Sequence, residues 1–156
     1  MPELHPSPRA AVLMLLLAAT GTCAGAADLD ASGLWSLRMS APTPVAGDCE
    51  VMDDTGYTET VRIAQDDERY TFAVVSGMVE EGRIEGGAYR HATVQEGLLP
   101  SGVLFRVRAS SVFQLTSADA LEGHTELLLD YDDGGSCRLD VEFSGERAPE
   151  PAPSGT

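Results

Sequence analysis

The sequence predicts an all-β fold: an antiparallel up-and-down meander that closes into a barrel of about 8–9 strands. Three observations point there. Apolar residues recur with period two in one short segment after another, and no stretch holds a 3.6-residue period for three turns. Gly, Asp and Pro punctuate these segments at even spacing, with no helical stretch between them. A sheet of that many strands accumulates twist and leaves aggregation-prone edges, so closure comes first and a sandwich second.

The chain opens with a segment expected to be removed. Arg9 precedes the apolar run from Ala10 to Ala19, which is shorter than the about 20 residues a bilayer span needs. Ala24-Gly25-Ala26 supplies a small-x-small cleavage pattern, so residues 1–26 are expected to be a secretory signal. Pro2, Pro6 and Pro8 argue against a buried helix there. Cys23 raises lipidation, but Thr20 and Thr22 stand where a lipoprotein signal carries Leu and a small residue. Export to a periplasmic or secreted location without a lipid anchor is the expectation. A lipoprotein held through Cys23 comes second.

Removing 26 of 156 residues leaves 130, one domain of ordinary size. Residues 27–147 are expected to form the barrel and 148–156 a disordered Pro-rich tail. The net charge of −15 is unchanged by the cut, which removes Glu3 and Arg9, and the chain has no lysine. Such a surface repels nucleic acid and anionic lipid, so neither is an expected partner. Cys49 and Cys137 remain, and an even count in an oxidising compartment implies a disulfide.

The strands follow in order. Trp35, Leu37 and Met39 share one face of Ser32–Ser40; Val61 and Ile63 alternate with Thr60 and Arg62. After the turn at Asp66-Asp67-Glu68, Tyr70, Phe72 and Val74 alternate with Thr71 and Ala73. The segments 77–87 and 88–95 are weaker and more polar. Segment 102–110 aligns Val103, Phe105 and Val107; segment 111–117 aligns Phe113 and Leu115. Segment 123–131 aligns Thr125, Leu127, Leu129 and Tyr131, and the last strand aligns Cys137, Leu139, Val141 and Phe143. Residues 41–57 form the longest irregular piece, a loop tethered through Cys49.

The acidic stretch from Asp130 fails as a calcium loop, because its fifth residue is Gly134 and its twelfth Val141. A tight hairpin turn at Asp133-Gly134 or Gly134-Gly135 accounts for the glycines. His91 and His124 have no partners at HxH or HxxxH spacing. There is no nucleophile elbow, phosphate loop or dinucleotide fingerprint. The expected protein is therefore not an enzyme and has no metal and no cofactor.

Gly33-Leu34-Trp35 at the head of the first strand, with Arg147 just after the last, resembles the calycin group of lipocalin-like barrels. Leu129-Asp130-Tyr131 stands where lipocalins carry Thr-Asp-Tyr, so the closer likeness is a reduced bacterial form, exported and disulfide-tied. The resemblance implies that the Trp35 indole plugs one barrel end under the Arg147 guanidinium. A small apolar ligand in the barrel is the first expected partner, contacted by Trp35, Leu37, Phe72, Phe105 and Leu127. An interaction or inhibitor module of the cell envelope, meeting an exported protein through the loop around Cys49, is second. A hydrolase or isomerase using His91 or His124 is third.

Overall fold

A computed structural model describes residues 29–49, 55–74, 77–99 and 101–151. The expected signal 1–26, Cys23 and residues 152–156 lie outside the described residues. Among the described residues there are nine strands and no helix. They are β1 (Gly33–Met39), β2 (Thr43–Gly47), β3 (Tyr57–Asp66), β4 (Arg69–Val74) and β5 (Val79–Glu85). Then come β6 (Ala88–Leu98), β7 (Leu104–Ser117), β8 (Ala120–Tyr131) and β9 (Ser136–Arg147).

Neighbours pair antiparallel in the order β1-β3-β4-β5-β6-β7-β8-β9, and β1 pairs with β9 to close the wall. Eight strands thus make the barrel, and β2 is an extra strand on the β9 edge that β1 has left. β1 takes Phe143–Arg147 of β9 and β2 takes Cys137–Asp140.

Two details differ from the sequence expectation. Segments 102–110 and 111–117 are one strand, β7. The small polar run Ala109-Ser110-Ser111 reads as a break, but its backbone continues and period two runs on through Ser111 to Phe113. The irregular loop 41–57 contains β2, whose residues are all exposed and include Pro44, tolerated because only one edge of β2 is paired.

The inward faces explain closure. Trp35, Leu37, Val61, Ile63, Tyr70, Phe72, Phe113, Leu121 and Phe143 form one buried cluster. Each such side chain contributes about 1.5–3 kcal/mol on burial. Gly134, with φ of 92°, supports the β8–β9 hairpin turn, where the Gly135 N–H is accepted by Asp133 Oδ1.

The wall is uneven. β5 pairs with β6 only from Gly82–His91 to Glu85–Ala88, so among the described residues the backbone of 92–98 in β6 pairs with β7 alone. β6 to β9, with β2, therefore run on past the ring as a half-wall. Its inner face carries a second cluster, Leu129, Cys137 and Leu139 with Cys49, Phe105, Val107, Leu127 and Tyr131 packed on it. The disulfide joins Cys49, just after β2, to Cys137 at the start of β9, with Cα atoms 4.9 Å apart. Gly47 is required beside it: φ is +80° and an added Cβ would come within 2.1 Å of the Ser136 carbonyl oxygen.

Candidate functional site

The interior has three levels. At the plugged end, the N-terminal arm folds over the ring. Trp35 is fully buried and its Nε1–H donates to the Ala31 carbonyl at 2.8 Å. The Arg147 guanidinium lies 4.5 Å from the indole centroid. It donates to the carbonyls of Ser32, of Asp30 at 2.9 Å and of Ala118 at 3.0 Å. The Tyr89 hydroxyl lies 2.6 Å from Gln65 Oε1, which also accepts from the Ala31 N–H.

Below that plug the ring is filled by aromatic side chains. Tyr89 stacks on Phe113 at 4.6 Å between centroids, and Tyr70 meets both rings edge-on. Phe72 and Phe143 extend the cluster.

A polar belt follows. The Tyr70 hydroxyl lies 2.6 Å from His91 Nδ1, and His91 Nε2 lies 2.8 Å from Glu80 Oε2. The Ser111 and Thr125 hydroxyls bond at 2.9 Å. Burial holds the Tyr70 hydroxyl well above its ordinary range, with the charge of Glu80 adding to the effect. Glu59 faces the same belt, and burial, then the neighbouring Glu80, raises its carboxyl. Both His91 nitrogens are engaged, so the arrangement is a satisfied relay rather than a base aimed at open space. Among the described residues, no three His, Cys, Asp or Glu side chains are grouped to hold a metal. His124 faces the outside of β8 and is exposed.

Beyond the belt lies the half-wall. Phe105, Val107, Leu127 and Tyr131 are partly buried on its inner face. Gly97 makes room for Phe105: a Cβ there would fall 2.4 Å from the ring tip. The five residues expected to contact a ligand divide between the levels. Trp35, Leu37 and Phe72 belong to the filled ring, whereas Phe105 and Leu127 lie together on the half-wall. The link between His91, Tyr70 and Glu80 has no local signal, because strand pairing across the sheet brings the three together.

No protein-family model matches the sequence, and no curated protein matches it. Two solved structures are similar. One is a protein of unknown function from the DUF3598 family of Nostoc punctiforme, with a TM-score of 0.41 and 16% identity over 74% of this chain and 47% of that one. The other is a mutant of the vaccine antigen transferrin binding protein B from Haemophilus parasuis, with a TM-score of 0.44 and 14% identity over 81% of this chain and 28% of that one. This chain spans less than half the length of either structure.

Proposed function

We propose that this is an exported, non-catalytic, lipocalin-like binding barrel that takes one small, largely apolar ligand against the half-wall. The single observation behind it is the division of the interior. The ring is filled by its own aromatic side chains, while Phe105, Val107 and Leu127 keep partly accessible apolar surface beyond a polar belt. Binding sites are mostly apolar concavities with a few convergent polar groups. The apolar body rests on the half-wall and the polar end meets the carboxyl groups of Glu59 and Glu80. The engaged nitrogens of His91 support a non-catalytic role, and the disulfide supports export.

The test is titration with a naphthalene-sulfonate dye and with medium-chain fatty alcohols. One-to-one saturation is expected, weakened about tenfold by Phe105→Ala, a loss of about 1.4 kcal/mol. With the fatty alcohols, which do not absorb indole emission, Trp35 emission should stay constant, since the indole lies at the far end. Absence of saturation by every probe removes the proposal.

A protein-interaction module is the second reading, favoured by the edge of β6. Among the described residues, 92–98 have no strand paired on the β5 side, where Gln95 makes only a side-chain contact with Met78, and Val79, Val94, Leu98 and Leu104 are exposed on the outer face there. Residues 50–54 of the loop first expected to make such a contact lie outside the described residues. Cross-linking from an introduced cysteine at position 94 to an exported protein, with the dye site empty, would favour this reading.

A further inference from the structure

We propose that the outer wall carries a separate anion site, in which Arg69, Arg83 and Arg90 bind a linear oxyanion bearing two or more charges, a phosphate or sulfate chain. The three arginines are direct cross-strand neighbours: Arg69 pairs with Arg83, and Arg83 with Arg90. All three are exposed, on the face opposite Tyr70, Gly82 and His91. Like charges placed directly opposite each other across strands are destabilising. A chain without lysine and with a net charge of −15 nevertheless sets three of its few cations in one row.

Their weak pairing is the second observation. Arg62, Arg106, Arg108, Arg138 and Arg147 each have a carboxylate oxygen within 3.5 Å. Among the described residues, Arg69 and Arg83 form no ion pair, as is also true of the isolated Arg38 on β1, and Arg90 has only a 3.8 Å contact with Glu85. The third observation is shape. The row lines a groove of about 610 Å³ with the short side chains of Ala64, Thr71, Ala92 and Ser110 beside it.

Asp66, Glu81 and Glu85 also line the groove, so the general field does not select the ligand. Selection comes from geometry. Guanidinium forks on adjacent strands repeat at about 4.8 Å, and each can hold an oxyanion through two N–H donors. A thin, repeating anion places successive charges on successive forks and passes between the carboxylates. An arginine fork suits phosphate and sulfate better than a lysine ammonium does.

The test is calorimetric titration of the disulfide-intact protein with tripolyphosphate and with a sulfated dextran oligosaccharide at low ionic strength. Saturable binding of at least one is expected, weakening steeply with added salt. The double variant Arg69→Gln/Arg83→Gln should bind at least tenfold more weakly, while Arg138→Gln should bind as the parent does. Saturation by only one probe identifies the source of the anion. No saturation by either probe, or undiminished binding by the double variant, overturns the proposal.

Discussion

Replacing Arg147 with alanine tests how the plugged end is held. The guanidinium covers the Trp35 indole at 4.5 Å and donates to three backbone carbonyls, those of Asp30, Ser32 and Ala118. The stacking contributes about 0.5–2 kcal/mol. A hydrogen bond from a charged group contributes about 1.5–3 kcal/mol when well shielded. The Arg147 side chain is 26% exposed, so water competes for part of that stabilisation and replaces some of the lost bonds. The net loss expected is about 2–4 kcal/mol, or a fall in melting temperature on the order of 10 °C for a domain of this size. Urea unfolding followed by Trp35 emission measures it, and native-state emission should shift to the red as water reaches the indole. Arg147→Lys should restore less than half, since an ammonium cannot both stack flat and reach three carbonyls. A loss below about 0.5 kcal/mol, or full rescue by lysine, would refute the account of this end.

Further outcomes follow from other parts of the wall. Replacing Cys49 and Cys137 with alanine should cost about 4–5 kcal/mol by the chain-entropy estimate for a loop of this length, measured by urea unfolding. Tyr70→Phe should cost about 1–3 kcal/mol, because His91 Nδ1 loses its buried partner; calorimetry of the variant decides. Burial, as the leading cause, raises Tyr57, Tyr70 and Tyr89 above the ordinary value of 10.0 in the folded state. Their contribution is full below that pH and declines above it as the unfolded chain ionises first, so alkaline unfolding should coincide with the rise of tyrosinate absorbance. Glu59 is also raised, so its contribution is present below the ordinary carboxyl range and lost as pH rises. Glu59→Gln should therefore stabilise at neutral pH but not in acid, seen in paired thermal melts.

The strand faces were legible because each obeys one local rule. Cys137, Leu139, Val141 and Phe143 alternate without a fault, and all four are buried. The glycine-rich turn after Asp130 was legible for the same reason, since a positive φ leaves a mark in residue type. What escaped depends on register. Nothing near His91 in sequence announces Tyr70 or Glu80, which come from β4 and β5. The arginine ladder is equally silent, because Arg69, Arg83 and Arg90 meet only after two hairpins have set their alignment. β2 leaves no alternation in the sequence, because all five of its residues are exposed. Alternation places Trp35, Leu37, Phe72, Phe105 and Leu127 in one set because it shows which side chains point inward. It does not show how far along the axis each lies, and strand lengths decide that.

The pairing of the first barrel strand with the last bears on when this molecule can fold. Trp35 meets Arg147, near opposite ends of the described chain, so the wall cannot be completed until β9 has been synthesised. Hairpins from β3 to β8 can form early, while the closing seam requires the most distant contacts and should come late and slowly. Its native state begins when the first and last barrel strands find each other.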